Sequence, residues 1–391
     1  MISPDDALVR VLALAEPVEI ETVPLLQAAG RWAVEPIIAL REQPARALSA
    51  MDGYAVRYSD LPGAWQVIGE SAAGFPYAGS VAAKQATRIS TGAAVPDGCD
   101  TIIIQEDVVR NEDTLSLTGK GPQAKGEHVR TAGSDFSNGQ TLVDAGEMLT
   151  PARIGLAAIG GYGALAVRRR LRVAIISTGD ELVQPGMDPG TDRLPASNGV
   201  MLAAMLGALP VEVTDFGIVR DDYGALFAAF VRVADYDIVV TTGGASVGDH
   251  DLVQPALIGA GATIDFWKIA LRPGKPLMAG RLGKAVVIGL PGNPVSAFVT
   301  AILFLKPLMA HMLGAKYAAP TRLTATLAVD MPAVGARTDY VRARWVDGRV
   351  TPLPSDSGML MPLAAAGALM IRPALAPAAS IGATIEIIPL T

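Results

Sequence analysis

The sequence is poor in the side chains that most often hold transition metals. Among 391 residues there are one cysteine, Cys99, and three histidines. A single cysteine excludes an internal disulfide and most cysteine-based metal sites, and it is compatible with a reducing compartment. His250 is accompanied only by His128 and His311, so we interpret it as a solvated loop residue rather than a metal ligand. Sites built on thiolate or imidazole are therefore disfavoured.

The sequence also lacks an excess of positive charge and a long apolar run. Its 32 basic and 38 acidic residues give a net charge of −6, without long blocks of one sign. Nucleic-acid-binding proteins more often have a basic excess, so no such partner is expected. The most apolar stretch, residues 294–313, is interrupted by Lys306, Pro307 and His311. Because a membrane span needs about 18 uninterrupted apolar residues, no membrane contact is expected.

The first residues lack the basic and then apolar order of a signal peptide, so a cytoplasmic location is expected. They predict a helix instead. Ser3 suits the N-cap, Pro4 suits the first helical position, and Asp5 and Asp6 face the positive end of the helix dipole.

The length and the changes of pattern predict several domains. A chain of 391 residues exceeds one compact core, and 50% hydrophobic with 18% charged residues is typical of a globular enzyme. Short strands between Gly, Pro, Asp and Asn turns predict β-rich regions on both sides of an α/β region. The predicted domains are an N-terminal elongated mixed domain of residues 1–43 and 138–167, an inserted β-rich domain of residues 44–137, an α/β domain of residues 168–318 and a C-terminal β-domain of residues 319–391.

The central region alternates apolar strands with helices, which predicts a doubly wound α/β domain. Strands are expected at residues 172–177, 211–217, 237–242 and 285–289. Helices are expected at residues 197–208, 222–234 and 293–312. Ligands bind at the carboxyl ends of strands in such sheets, and four motifs of this region follow that rule or lie close to it.

The first motif is Ser177-Thr-Gly-Asp-Glu-Leu, directly after a strand. Asp180 and Glu181, with a nearby hydroxyl, suit a hard cation such as Mg²⁺, which prefers oxygen ligands. A plain turn and helix cap is an equally good interpretation of this motif alone.

The second motif is the loop Gly243-Gly-Ala-Ser-Val-Gly-Asp-His-Asp. Its glycines permit close backbone approach, Ser246 adds a hydroxyl, and Asp249 and Asp251 add charge. Loops of this kind often bind a metal together with phosphate, although a structural loop remains the alternative.

Two further motifs suit anions. Lys268, Arg272 and Lys275 lie within eight residues, around the stiff turn Arg272-Pro-Gly-Lys-Pro, and predict an oxyanion site. A solvated basic turn is the alternative.

In Gly289-Leu-Pro-Gly-Asn-Pro-Val-Ser, Asn293 suits an N-cap and Pro294 the first turn, so free N–H groups are expected to face a ligand. An ordinary helix cap would explain this motif equally well.

Smaller acidic and glycine-containing turns occur in the β-rich part. They include Asp52 in Ser49-Ala-Met-Asp-Gly-Tyr-Ala, Thr91 in Thr91-Gly-Ala-Ala-Val-Pro, and Asp135 in Gly133-Ser-Asp. Each of them taken singly is typical of a turn.

Together these motifs resemble the MoeA family, the molybdopterin molybdenumtransferases, whose fold is shared with the E domain of gephyrin. The resemblance extends from about Asp6 to Pro389 and rests on six long motifs in one order. It implies an L-shaped homodimer with four domains per chain, and a molybdenum-cofactor-binding α/β domain that the pathway's adenylyltransferase shares. The implied reaction inserts molybdate into adenylylated molybdopterin with release of AMP. The implied cleft joins the α/β domain of one chain to the second domain of the other.

The resemblance also implies roles for individual residues. Asp52, Asp135, Asp180, Glu181 and Asp251 match the catalytic acids, of which Asp180, Glu181 and Asp251 would hold Mg²⁺. The residues that match substrate-binding positions are Thr91, Ser177, Thr178, Gly179, Gly243, Gly244, Ser246, Gly248, Lys268, Arg272, Pro273, Gly274, Lys275, Pro291, Gly292, Asn293, Pro294 and Ser296. Arg342, Arg344 and Ser357 roughly match positions that face the cleft.

Two positions depart from the family pattern. Arg272 stands where the family often has lysine, and Ser134 stands where it usually has glutamate beside the acid at 135.

Two other functions are compatible with the same motifs. One is a partner-binding scaffold like the gephyrin E domain, and the other is the pathway's adenylyltransferase. Contacts with that adenylyltransferase and with recipient molybdoenzymes are expected partner interactions of the transferase.

Overall fold

The computed structural model describes residues 1–244 and 252–390. The N-terminal helix Pro4–Leu12 begins as predicted, because the Ser3 hydroxyl accepts the Asp6 N–H at 3.1 Å. The strand Ile20–Pro24 pairs antiparallel with Ala164–Arg168 and so brings residues distant in sequence together. The remaining elements of this region are the helices Leu25–Ala28 and Pro151–Gly160, and the paired strands Ile37–Ile38 and Thr141–Val143.

The predicted β-rich segment contains a six-stranded sheet around a small core that includes Trp65, Ile103 and Leu115. Its strands, in spatial order, are Thr101–Ile104, Gly53–Val56, Gln85–Ile89, Trp65–Ser71, Thr114–Leu117 and Val108–Asn111. A separate short pair, Leu48–Ser49 with Val129–Arg130, lies beside it.

The central sheet, called the α/β sheet below, has six strands. In spatial order they are Val211–Val219, Leu171–Thr178, Ile238–Thr242, Ala285–Leu290, Pro276–Leu282 and Ala262–Lys268. The first four are parallel and confirm the predicted strands. Pro276–Leu282 pairs antiparallel with both of its neighbours, Ala285–Leu290 and Ala262–Lys268. Neither Pro276–Leu282 nor Ala262–Lys268 was predicted. In Ala262–Lys268, exposed polar residues such as Thr263 and Asp265 interrupt the apolar pattern.

Helices cover both faces of the α/β sheet, which confirms the doubly wound arrangement. Ser197–Leu206 and Pro294–Thr300 pack on one face, and Tyr223–Val233 and Val253–Gly259 pack on the other. The apolar stretch Pro294–Met312 continues as one long helix that contains a π turn at Ala301–Leu305. It is long and apolar enough to span a membrane, but 78% of its most apolar window is buried inside the protein. Core burial accounts for its composition.

The C-terminal sheet confirms the predicted strands near residues 324, 340 and 383. Its strands, in spatial order, are Leu271–Arg272, Thr338–Val346, Arg349–Pro352, Leu323–Leu327, Thr384–Pro389 and Ala368–Arg372. The strand Thr338–Val346 also pairs with Ala368–Arg372, which gives the sheet a barrel-like closure. The short strand Leu271–Arg272 comes from the central region of the sequence, so the basic turn is attached to the C-terminal sheet.

Candidate functional site

A cleft of about 1220 Å³ opens at the carboxyl ends of the parallel strands. The turns after Leu171–Thr178, Ile238–Thr242 and Ala285–Leu290 form its floor, as expected for an open α/β sheet. The basic turn lines one side, and residues of the C-terminal domain close another. The predicted site residues that line it are Ser177, Thr178, Gly179, Glu181, Gly243, Gly244, Arg272, Pro273, Gly274, Lys275, Pro291, Gly292, Asn293, Pro294, Ser296 and Ser357.

The first turn brings a carboxylate over the backbone. A β-carbon at Gly179, whose φ is +146°, would lie 2.6 Å from Oε2 of Glu181. The Ser177 hydroxyl is buried below and accepts a hydrogen bond from Thr242 Oγ1 at 3.3 Å. Glu181 lines the cleft, whereas Asp180 lies beside it and accepts the Asp221 N–H at 3.3 Å.

Asp221 is a cleft acid that the sequence analysis missed. Partial burial raises its pKa, and the negative charges of Asp180 and Glu181 raise it further. The signal was available, because Asp221 follows the predicted strand near residue 217. Asp222 caps the next helix by accepting the Ala225 N–H at 2.9 Å. The preceding acid is thus left to face the cleft.

The donor set of this corner suits a hard cation. Glu181 and Asp221 supply carboxylate oxygens. Burial first, and then the charges of Asp180 and Glu181, raise the pKa of Asp221, and a bound cation would relieve the repulsion between these carboxylates. Within residues 1–244 and 252–390, however, no three acidic, histidine or cysteine side chains converge as a metal site. Asp251, the third predicted ligand, lies outside the described residues, as do Ser246, Gly248, Asp249 and His250.

Two glycine turns pack against each other on the floor. Gly243 has a φ of +93°, and a β-carbon there would lie 2.5 Å from the Thr178 carbonyl oxygen. A β-carbon at Gly292 would lie 3.8 Å from Cα of Gly243. Glycine is therefore required at 243 by both its backbone conformation and this close approach. The resulting surface is largely backbone, which suits a phosphate-containing ligand.

The expected array of free N–H groups at the Pro294–Thr300 helix was partly wrong. Asn293 occupies the N-cap position, but its side chain makes no capping hydrogen bond. Pro294 has no N–H, and the Val295 N–H donates to the Ser357 carbonyl oxygen at 3.2 Å. The helix start is thus held by the C-terminal domain, and its anion-binding capacity is smaller than the sequence indicated.

The three predicted cations are not equivalent. Arg272 and Lys275 line the cleft, but Lys268 is not among the lining residues. Arg272 donates from Nε to Oδ1 of Asp339 at 2.8 Å and from Nη2 to Oδ2 of the same carboxylate. Lys275 is exposed and makes no ion pair with the described residues. Of the described residues that line the cleft, Lys275 therefore presents an ammonium without an ion pair among them, and Arg272 presents a partly neutralised guanidinium.

Asp52 and Thr91 lie together, but outside the cleft of their own chain. The Thr91 N–H donates to Oδ1 of Asp52 at 2.7 Å, and this hydrogen bond lowers the pKa of Asp52. Asp135 is exposed, and its N–H donates to the Gln43 carbonyl oxygen at 3.0 Å. None of the three is among the described residues that line the cleft.

Arg342 does not face the cleft. It is 3% exposed, and its guanidinium donates to the carbonyl oxygens of Pro354, Asp356 and Met359. Burial lowers its pKa. Arg342 thereby holds the segment that contains Ser357, which does line the cleft.

Comparison with known proteins covers nearly the whole chain. The N-terminal region of MoeA (domains I and II) matches residues 2–161, and the MoeA C-terminal region (domain IV) matches residues 324–390. A "probable molybdopterin binding domain" matches residues 174–311. A molybdopterin molybdenumtransferase from Haemophilus influenzae is 37% identical over 347 residues, which is 88% of this chain and 85% of that protein. The chain belongs to the MoeA family.

Other MoeA relatives agree. A molybdopterin molybdenumtransferase from Nostoc is 36% identical over 375 residues, covering 90% of this chain and 85% of that protein. The crystal structure of a molybdopterin biosynthesis MoeA protein from Pyrococcus horikoshii OT3 covers 100% of both chains, with a TM-score of 0.85 and 26% identity. The floor of the cleft lies in the region that matches the probable molybdopterin binding domain, and Ser357 lies in the region that matches MoeA domain IV.

Proposed function

We propose that the protein is a molybdopterin molybdenumtransferase. It takes adenylylated molybdopterin and molybdate, cleaves the adenylate with release of AMP, and delivers molybdenum to the dithiolene. The observation that carries this proposal is the cleft in the molybdopterin-binding region, where the free cation Lys275 lies in the same cavity as Glu181 and Asp221. An enzyme that joins two anionic substrates and breaks a phosphoanhydride needs cationic and acidic groups side by side.

The floor and the basic side of the cleft suit different parts of the substrates. The close-packed glycine turns at Gly243 and Gly292 offer backbone to the pyrophosphate of the adenylate. Molybdate is a tetrahedral dianion, and it would sit between Lys275 and the Nη1 edge of Arg272, which makes no hydrogen bond to the described part of the chain. Lys268 adds positive charge outside the lining residues.

The acidic corner is proposed to hold Mg²⁺. Asp180, Glu181 and Asp251 are the ligands suggested by motif position, and Asp221 joins them because the charges of Asp180 and Glu181 act on it. When bound, the cation would neutralise phosphate charge during cleavage. The carboxylates themselves would orient water or metal, and none is proposed as a nucleophile.

A homodimer would complete the site. Asp52, Thr91 and Asp135 match family positions of the cleft, yet they do not line the cleft of their own chain. We therefore infer that a second copy supplies them. The same dimer would work in the cytoplasm, between the adenylyltransferase that supplies its substrate and the molybdoenzymes that receive its product.

The function is tested by incubating the protein with adenylylated molybdopterin, molybdate and Mg²⁺ and measuring AMP. AMP release above a control without protein is expected. Absence of release would contradict the proposal and favour a partner-binding scaffold, whereas ATP-dependent adenylylation of molybdopterin by this chain would favour an adenylyltransferase.

The shared site is tested by co-expressing chains that carry Asp52→Asn with chains that carry Lys275→Gln. If one site uses residue 52 of one chain and residue 275 of the other, each mixed dimer has one intact site. Random pairing then restores roughly a quarter of the unsubstituted activity. No activity above the two single variants would mean that both residues act within one chain.

A further inference from the structure

The buried carboxylate of Asp339 is the least expected neighbour of the cleft. Asp339 belongs to the C-terminal domain and is 6% exposed, whereas the side chain of its partner Arg272 is 60% exposed. The salt bridge is bidentate, since Nε and Nη2 of Arg272 each donate to a different oxygen of Asp339. Such paired geometry fixes the plane of a guanidinium as well as its position.

The backbone holds the same two residues. Leu271–Arg272 pairs parallel with Thr338–Val346, with Arg272 opposite Asp339 in the register. The Thr338 N–H donates to the Ala270 carbonyl oxygen at 2.9 Å. The carboxylate is therefore rigidly placed, and the arginine that it holds is the first residue of the basic turn.

This pairing divides the donors of Arg272 into two sets. An arginine has five N–H donors, of which Nε and one Nη2 hydrogen point at Asp339. Nη1 has no hydrogen-bond partner among the described residues, and the side chain lines the cleft. One edge of the guanidinium is thus occupied, and the Nη1 side remains for a ligand.

We propose that Asp339 is a positioning residue, which orders Arg272 in advance so that its Nη1 side receives the oxyanion together with Lys275. The proposal rests on the proposed function, because it names the oxyanion substrate of that site. Preorganisation strengthens binding by removing the entropy cost of immobilising a long side chain.

The same reasoning explains why arginine suits position 272 of this chain. A lysine ammonium is a point charge on a flexible stem and cannot engage a carboxylate through a planar fork while presenting a second, fixed edge. Asp339 and Arg272 therefore form a functional unit, and substitution of either should have similar consequences.

The test is Asp339→Asn, which preserves shape and removes the charge. We expect molybdate to bind the substrate-free protein about five- to tenfold more weakly in calorimetry, and the KM for molybdate to rise similarly with kcat within about twofold. Asp339→Glu, which keeps the carboxylate, should recover part of the affinity. Asp347→Asn is the matched control, since Asp347 is exposed in the turn after the same strand and its φ of +48° suits asparagine.

A coupling measurement excludes a merely structural role. Arg272→Lys should weaken molybdate binding, and adding Asp339→Asn to Arg272→Lys should change it little further. Tighter molybdate binding in Asp339→Asn would contradict the proposal, because Asp339 would then act only by subtracting positive charge. Unchanged affinity, even with a lower melting temperature, would also contradict it.

Failure of this proposal differs from failure of the proposed function. If the unsubstituted protein releases AMP but Asp339→Asn binds molybdate normally, only the role of Asp339 is wrong. If the predicted loss of affinity occurs without AMP release, only the transferase proposal is wrong. Absence of molybdate binding by the unsubstituted protein would overturn both.

Discussion

The charges of individual side chains decide what the cleft can bind. The sequence showed three cations around one turn, but it could not show that Arg272 donates two hydrogen bonds to Asp339, 67 residues later. Ion pairs between distant residues depend on strand pairing across domains, which a local pattern does not encode. Lys275 makes no ion pair with residues 1–244 or 252–390, and its position between two prolines was visible in the sequence.

Replacing Lys275 by glutamine tests its share of anion binding. Hydrogen bonds to charged groups are the stronger ones, so we expect the KM for molybdate to rise about 10- to 100-fold. Lys284→Gln is the matched control, because Lys284 is exposed at the other end of the strand Pro276–Leu282. An equal effect of both substitutions on KM would show that only general positive charge matters.

Replacing Asp221 by asparagine tests the acidic corner. Partial burial and then the charges of Asp180 and Glu181 raise the pKa of Asp221, so its ionised form is disfavoured in the folded protein. Its contribution to folding is therefore most favourable at low pH and is lost as pH rises above the ordinary aspartate value of about 3.9. Asp221→Asn should raise the melting temperature at pH 7 but not at pH 3.

The same variant should lose function. AMP release is expected to fall at least about tenfold, and the stabilisation by added Mg²⁺ should shrink. Asp235→Asn serves as the control, since Asp235 is exposed in the turn that precedes the strand Ile238–Thr242. Full activity of Asp221→Asn would remove Asp221 from the site.

At the scale of elements, the four parallel strands and the turns after them were predictable. Their apolar runs are continuous, and strand ends in α/β sheets converge on one edge. The antiparallel pair Ala262–Lys268 and Pro276–Leu282 was missed. Ala262–Lys268 alternates polar with apolar residues and so lacks the continuous apolar run of the parallel strands. The start of the Pro294–Thr300 helix was predicted correctly, with Asn293 at the N-cap position. The free N–H groups expected there were misjudged, because the Val295 N–H donates to the carbonyl oxygen of Ser357, from another domain.

The glycine turns make an element-level prediction. Gly243→Ala must place a β-carbon 2.5 Å from the Thr178 carbonyl oxygen at a positive φ, which we expect to destabilise folding by more than about 2 kcal/mol. Gly190→Ala also has a positive φ but meets no atom within 4 Å, so it should destabilise by only about 1 kcal/mol. Urea unfolding measures both variants. Equal losses in the two variants would mean that the backbone at Gly243 does not approach the Thr178 carbonyl oxygen closely.

At the scale of the whole molecule, an ion-pair network links the N-terminal region to the α/β sheet. Arg169 donates to both oxygens of Asp237, at 2.7 and 2.8 Å, and also to Glu19 at 2.7 Å. Burial alone would raise the pKa of Asp237, but the hydrogen bonds and charge of Arg169 outweigh it and lower that pKa. The carboxylate is 5% exposed, so it depends on this partner.

Asp237→Asn should therefore destabilise the protein by about 3 kcal/mol at pH 7, because it removes the buried carboxylate that accepts two charge-assisted hydrogen bonds from Arg169. A lowered pKa gives stability that is present above the unfolded value of about 3.9 and is lost as pH falls below it, so the difference from the unsubstituted protein should shrink at pH 3. Glu19→Gln is the control, since the Glu19 side chain is 76% exposed and should matter by less than about 1 kcal/mol. A pH-independent loss in Asp237→Asn would contradict this account.

The proposed homodimer belongs to the scale of assembly. The resemblance to the MoeA family implied that Asp52, Thr91 and Asp135 belong to a cleft, and they are not among the described residues that line the cleft of their own chain. The physical reason is that a local motif specifies a turn and its chemistry, whereas the surface that it completes depends on assembly. The mixed-chain measurement described above addresses this level.

The most direct test of the central claim is a single turnover that counts AMP and molybdenum together. The protein in excess is mixed with adenylylated molybdopterin and Mg²⁺, with and without molybdate, and protein-bound dithiolene molybdenum and free AMP are quantified. We predict molybdate-dependent release of AMP, with one AMP for each molybdenum inserted. AMP release that does not require molybdate, or that leaves no molybdenum on the dithiolene, would contradict the account.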